Sequence, residues 1–156
     1  MGKFATYSFS AVSVSAAVDS FEIAAASAKP FILHEITLGQ SSDYGDAAAE
    51  GLSVLIKRGI GNTSGSGGST ATAAKHATND AAVGPTAETN NTTQAVAGGG
   101  SLTTIRAEAF NVQAGYQYLP TPEQRITFLP AESLVVSITA PADAITMSGS
   151  VVIEEL

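Results

Sequence analysis

The sequence predicts an all-β protein, an antiparallel jelly-roll-like sandwich with one long loop rich in Gly, Ser, Thr and Ala. Apolar residues recur with a period of two along most of the chain, which is the spacing of strands with one buried face. Turn signals separate these segments about every 8 to 12 residues, and no helical spacing persists over a useful length. Together these observations favour a sandwich or barrel, among which a jelly roll is the first choice.

An immunoglobulin-like sandwich is the alternative fold. Its Cys–Trp–Cys core is missing, because the chain has neither cysteine nor tryptophan. That absence alone does not exclude it.

Four strands are predicted before residue 60. They cover residues 7–16, 21–25, 31–38 and 52–57. In the first strand the apolar residues change face near Ala11 and Val12, so we expect a β-bulge there.

Residues 61–100 have a different composition. Residues 61–70 read GNTSGSGGST and offer no side chain that could anchor a core, so a flexible loop is predicted. Alanines in 72–82 permit a helical turn, and 86–93 could add a short polar strand. Long loops of this kind are usually functional or disordered. We therefore expect a single domain, 1–156, with a loop insertion at about 61–100 that becomes ordered only against a neighbouring subunit.

Alternation resumes after the triple glycine that ends this segment. Further strands are predicted at 102–112, 126–128, 134–138 and 145–153. Residues 115–122 are predicted to form a turn, because Pro120 and Pro122 fix the backbone there. The total is roughly eight to nine short strands, as expected for a sandwich.

Composition narrows the classes of partner. The chain has 156 residues, enough for one domain, with 7 Lys and Arg against 14 Asp and Glu and a net charge of −7. This field repels phosphate groups and anionic lipids, so neither nucleic acid nor a membrane is an expected partner. Charged residues make up only 13% of the chain, well below the roughly 25% of typical soluble domains. Charge-poor surfaces occur at the centres of interfaces, which favours a role in an assembly.

The residues that could serve in catalysis or metal binding do not have the spacing that the known motifs require. His34 alternates with apolar residues and is expected on a half-buried strand face with a backbone partner, whereas His76 is expected in solvent. Two histidines cannot supply a cupin-type metal site, and the absence of cysteine excludes thiolate chemistry. Glu154 and Glu155 point to opposite faces of a strand, and we expect both side chains to lie in solvent at the end of that strand. We therefore expect no enzyme activity, no metal and no cofactor.

Two weaker candidate sites remain. Asp43, Asp46 and Glu50 could offer oxygen ligands to calcium, but the EF-hand spacing is missing and a polar loop is favoured. Tyr116, Tyr118 and Phe128 form the candidate interface. Core packing together with an oligomer contact is favoured there over a platform for stacking sugars.

Three blocks of sequence support a more specific reading. Residues 36–46 (ITLGQSSDYGD), 110–123 (FNVQAGYQYLPTPE) and 147–155 (MSGSVVIEE) resemble small structural proteins of tailed bacteriophages. This resemblance implies a jelly-roll or tumour-necrosis-factor-like domain, commonly trimeric, that decorates or cements a capsid. It implies no catalytic residues, and it does not extend to 61–100.

The function expected from this resemblance is that of a non-enzymatic virion protein, made in the host cytoplasm and bound to the capsid as a trimer. Its partners would be the major capsid protein or other virion subunits. The alternative is a carbohydrate- or receptor-binding module of a phage fibre or tail, which would use the region of Tyr116 and Tyr118.

Overall fold

The computed structural model describes residues 2–42 and 50–156, which form twelve β-strands and a short 3-10 helix at Pro122–Gln124. The strands are β1 Lys3–Val14, β2 Val18–Ala24, β3 Phe31–Gln40, β4 Gly51–Ile60, β5 Ser69–Ala71, β6 Ala74–Lys75, β7 Thr86–Asn91, β8 Ser101–Asn111, β9 Tyr116–Tyr118, β10 Ile126–Phe128, β11 Glu132–Ile138 and β12 Ile145–Glu155.

The strands form two six-stranded antiparallel sheets. The first sheet has the order β10-β3-β12-β1-β6, with β9 also paired to β3. The second sheet has the order β5-β7-β2-β11-β4-β8. The predicted all-β sandwich is confirmed.

The long-range pairing is nested and follows a jelly roll. β1 pairs with β12, β2 with β11, β3 with β10 and β4 with β8. Successive strands β1 to β4 alternate between the two sheets, as they do when one long hairpin is rolled around a core. The predicted strands before residue 60 correspond to β1 to β4.

The core lies between the inner faces of the two sheets. Phe9 of the first sheet and Phe21 of the second have ring centroids 5.2 Å apart, and they join the two layers. Position 149 of β12, beside Phe9, requires a glycine. A Cβ there would lie 2.9 Å from the Phe9 side chain and 2.8 Å from that of Leu38.

The β-bulge predicted in the first strand is confirmed. The register between β1 and β12 shifts between Phe9 and Val12, and Ala11 has a φ of 54°. The Ala11 amide donates to Ser148 Oγ at 3.0 Å, which satisfies the group that the bulge frees.

Two local predictions are wrong. The turn predicted at 115–122 contains a strand, since residues 116–118 form β9 on the edge of β3 with their tyrosines alternating inward. The flexible loop predicted at 61–70 is instead paired with the returning chain.

We call residues 61–100 the ribbon, because its two arms run antiparallel. Bridges join Thr63 to Val96 and Ser66 to Thr93, and the arms continue as the pair β5 and β7. β7 then adds to β2 of the second sheet, and β6 adds to β1 of the first. The polar strand expected in 86–93 is confirmed as β7, whereas the helical turn in 72–82 is replaced by β6 and bends.

The expectation that the ribbon is ordered only by a neighbouring subunit is therefore wrong. Its own chain supplies the partners, which are chiefly backbone groups and polar side chains, while Ala71, Ala73 and Val83 add small apolar contacts with the core. A search for apolar anchors could not reveal them.

Candidate assembly interface

The two lateral sides of the sandwich differ, because the ribbon covers only one of them. It crosses the outer face of the second sheet and closes over the edges of β2 and β1. Polar side chains on the sheets hold it there.

Glu22 is the first attachment point of the ribbon. It lies on β2, facing away from the core, and is only 6% exposed because the ribbon covers it. Its Oε2 accepts hydrogen bonds from the Gly65 amide at 2.8 Å and from Asn91 Nδ2 at 3.0 Å. A buried carboxylate is retained when hydrogen bonds replace its water, so Glu22 binds both arms of the ribbon at once.

Asp19 repeats this arrangement three residues earlier. Its Oδ2 accepts from the Ala95 amide at 2.6 Å, and its Oδ1 accepts from Ser137 Oγ at 2.5 Å and from Gln94 Nε2 at 3.3 Å. The side chain is fully buried. Asp19 therefore links the returning arm of the ribbon to both β2 and β11.

Glu155 forms the third attachment, and the expectation that it is a solvated strand end is wrong. It is buried, and its Oε2 accepts from the Gly84 amide at 2.5 Å, while Lys29 Nζ and Lys3 Nζ lie 3.3 Å and 3.5 Å from its Oε1. Burial raises the pKa of this carboxyl, but the Gly84 amide and the two lysines outweigh it, and the net shift is downward.

Tyr7 supports the same corner. Its hydroxyl donates to the carbonyl of Pro85 in the ribbon. Burial, and then the nearby Glu155 carboxylate, raise the pKa of Tyr7 to about 12. The hydroxyl therefore remains a donor at neutral pH.

The two histidines lie on either side of Phe4, on the outer face of the first sheet. The rings of His34 and His76 have centroids 4.9 Å and 6.0 Å from that of Phe4. His34 Nε2 lies 2.9 Å from Glu154 Oε2, so its partner is a carboxylate and not the predicted backbone group. His76 is exposed as predicted, and it also contacts Thr6 Oγ1 at 2.7 Å.

Metal-binding groups are sparse in the part of the chain that the structure describes. No group of three or more His, Cys, Asp or Glu side chains is placed there to hold a metal ion. Asp43 and Asp46 of the calcium hypothesis lie outside the described residues, while Glu50 accepts from the Ala142 amide. Among the described residues, no helix has the length and apolarity needed to cross a bilayer.

The opposite lateral side carries the free edges of both sheets. β8 ends the second sheet, and β9 and β10 line the edge of the first. Arg106 and Glu108 of β8 lie between them, with Arg106 Nε 2.8 Å from Glu108 Oε1. Their side chains are 40% and 32% exposed, so the pair faces both solvent and the seam between the sheets.

The tyrosines of the candidate interface belong to this seam. Tyr116 donates to Glu108 Oε2 at 3.0 Å, and the guanidinium of Arg106 lies 5.1 Å from the ring centroid of Tyr118. Burial raises the pKa of both hydroxyls, and the bond to Glu108 adds to the rise for Tyr116. A hydrogen bond to Glu108 also raises the pKa of Arg106.

The structure brings Tyr116 and Tyr118 together beside Arg106 and Glu108, whereas Phe128 packs against Phe31 in the core. Tyr116 and Tyr118 are 8% and 4% exposed, and Phe128 is fully buried against Phe31, with centroids 4.9 Å apart. None of the three rings offers a free face for stacking on a sugar. The exposed part of this side is formed instead by the β8 edge, by Arg106 and Glu108, and by Leu119, which is 67% exposed.

Sequence reasoning missed the carboxylates that hold the ribbon and the special position of β8. The alternation of Phe21 and Ile23 marks Glu22 as outward-facing, which is correct, but it assigns Asp19 to the inner face, from which the register shift between Val136 and Ser137 removes it. Alternation also cannot show that another segment covers the outer face. The β8 strand itself was predicted. Its place at a sheet edge depends on strand order, for which the local pattern carries no signal.

No protein-family model, curated protein sequence or solved structure matches the chain. The fold and the interface described above therefore rest on the chain's own residues.

Proposed function

We propose that this chain is a non-enzymatic structural protein of a tailed-phage virion, a decoration or cement protein that binds the capsid as an oligomer. The observation that carries this proposal is the difference between the two lateral sides of the sandwich. One side is closed by the ribbon, and the other leaves the edge strand β8 open beside an exposed leucine. An open strand edge is a surface that pairs with another chain.

The construction of the fold supports a passive structural role. Both halves of the ribbon are bound to buried carboxylates, and the first and last strands, β1 and β12, pair at the middle of one sheet. Central placement of the terminal strands secures both ends of the chain against fraying. The virion itself is supported by the resemblance in 36–46, 110–123 and 147–155.

The charge of the molecule indicates the chemistry of the partner. With a net charge of −7, the protein is attracted to basic patches on a shell and repelled by packaged nucleic acid. Repeated weak contacts over a symmetric shell then add up to firm attachment.

The test is co-sedimentation with shells assembled from the major capsid protein encoded in the same genome. Saturable binding, at a copy number that matches the symmetry of the shell, is the expected result. A protein that stays in the supernatant at about 100 μM, a concentration that would detect even weak contacts, would overturn the proposal. Binding to a glycan array without binding to shells would overturn it in favour of a receptor-binding module.

A further inference from the structure

Among the described residues, β8 is the longest of the strands that lie at the edge of a sheet. The other strands at sheet edges, β5, β6, β9 and β10, have three, two, three and three residues, whereas β8 has 11. Natural sheets discourage pairing at their edges with short strands, lysine or proline. The β8 sequence, SLTTIRAEAFN, contains neither lysine nor proline.

The hydrogen-bonding groups at the middle of β8 point to the open side. The Thr139 amide donates to the Ser53 carbonyl at 3.1 Å, and the Ser53 amide donates to Thr139 Oγ1 at 3.0 Å. The backbone groups of Ser53 therefore face away from β8, and those of Ala109, which is opposite Ser53 in the register, face away from β4 toward the open side. Ala107 lies two residues earlier in β8, so its amide and carbonyl are directed outward as well.

The side chains around Ala107 are complementary to themselves. Arg106 and Glu108 flank it and share one face of the strand. When two β8 strands pair antiparallel about a two-fold axis at Ala107, each Arg106 lies opposite the other copy's Glu108. An axis at Arg106 or at Glu108 would place like charges opposite each other, which is unfavourable.

Small residues and a bulge set the extent of this contact. Ala107 lies opposite Ala107 of the other copy, and Ala109 lies opposite the other copy's Ile105. Each of these pairs on the exposed face contains an alanine, so two bulky side chains do not oppose each other. Ile105 is the extra residue at the shift in register between β8 and β4, and it ends the regular stretch. The pairing is therefore short, and the association should be weak and dependent on concentration.

We propose that two copies of this chain pair through β8, antiparallel and centred on Ala107, so that two six-stranded sheets become one continuous sheet. This inference rests on the proposed assembly role of the open side, but it does not depend on which particle the protein joins. Contact between two copies and contact with a shell are separate interactions, so an experiment can exclude either one without excluding the other.

The test uses the full chain and two charge variants, Arg106→Glu and Glu108→Arg. Sedimentation velocity over a range of concentrations should show a monomer–dimer equilibrium for the unmodified protein. Each variant places like charges opposite each other and should be monomeric at the same concentrations. The matched control, Asp143→Arg, makes the same change of charge as Glu108→Arg at an exposed site in the β11–β12 turn, and it should leave the dimer intact.

Mixing the two variants tests whether charge pairing between copies, and not the Arg106–Glu108 ion pair within one copy, controls dimer formation. One variant then carries only glutamate at positions 106 and 108, and the other carries only arginine, so both cross-strand pairs of a mixed dimer join opposite charges. Native mass spectrometry should show this heterodimer although neither variant dimerises alone. A monomeric unmodified protein, an oligomer that both variants leave unchanged, or a mixture without heterodimer would each overturn the inference. Shell binding by the monomeric variants would leave the proposed function standing.

Discussion

At the scale of single residues, Gly65 and Gly68 of the ribbon serve close packing and not freedom of movement. A Cβ on Gly65 would lie 2.6 Å from the carbonyl oxygen of Thr93, and one on Gly68 would lie 2.3 Å from that of Thr89. Only glycine lets the two arms approach this closely. Gly99, in contrast, has no atom within 4 Å of the position its Cβ would take.

This contrast predicts opposite outcomes for two identical substitutions. Gly65→Ala should lower the free energy of unfolding by about 1–3 kcal/mol, because the new methyl group displaces backbone. Gly99→Ala should be neutral, or stabilising by up to about 1 kcal/mol, since it only restricts the unfolded chain. Urea unfolding of the two variants beside the unmodified protein measures both values. Equal effects would show that the Gly65 arm is not packed as described.

The buried carboxylates help to explain why the ribbon stays on the sheet, since its apolar contacts with the core come from small side chains such as Ala71, Ala73 and Val83. Hydrogen bonds to charged groups stabilise by about 1.5–3 kcal/mol each, more than bonds between neutral groups. Asp19 and Glu22 each accept one backbone amide of the ribbon together with a side-chain amide. These bonds offset the cost of removing both carboxylates from water.

At the scale of elements, the ribbon extends both sheets with short strands. β6 pairs with β1 through only two residues, Ala74 and Lys75. Lys75 Nζ also donates to the carbonyls of Thr78 and Asp80, which folds the following turn back on the strand. β6 is thus an independent test of whether the ribbon is attached in the free protein.

Trypsin makes that test specific, because Lys75 is the single lysine or arginine between residues 61 and 100. We expect slow cleavage after Lys75 in the folded free protein, since a protease needs the local chain in an extended, unpaired form. A synthetic peptide of residues 70–81 is the matched control and should be cut rapidly. Mass spectrometry of timed digests gives both rates, and similar rates would mean that β6 opens readily without any partner.

At the scale of the whole molecule, the sequence predicts where most strands lie, but it does not predict which strands pair with each other. Alternation in 31–38 and 145–153 identified β3 and β12, because inward side chains must be apolar wherever one face is buried. Alternation does not show which strands pair, and the jelly roll arises from pairings such as Lys3 with Glu155. The ribbon was misread for a related reason, because its partners, Asp19 and Glu22, lie far away in the sequence.

In the candidate interface as well, the sequence predicts local features but not those that depend on strand pairing. Tyr116 and Tyr118 lie together as expected, although the sequence predicts a turn there and not the strand β9, in which residues two apart share a face. Their burial agrees with the core packing expected from the sequence, but the cover that β8 and the side chain of Arg106 provide depends on strand order and could not be foreseen. Aromatic side chains indicate a core or an interface equally well until the strand order is known.

Glu155 joins parts of the chain that are far apart in sequence, so its titration should affect the stability of the whole domain. It connects Lys3 of the first strand, Lys29 of the β2–β3 connection and Gly84 of the ribbon. Its pKa is lower in the folded state than the ordinary value of 4.5. Its stabilising contribution is therefore complete above that ordinary value and is lost as the pH falls through the folded-state pKa.

Comparison with Glu155→Gln isolates this contribution from those of the other carboxyl groups. Between pH 7 and pH 5, the unmodified protein should have the larger free energy of unfolding, since glutamine lacks the charge that pairs with the two lysines. Below about pH 4.5 the difference should shrink, because protonation removes the same charge from Glu155. Urea unfolding at a series of pH values measures the difference directly. A difference that stays constant from pH 7 to pH 3 would show that packing of the side chain, and not its charge, connects the termini to the ribbon.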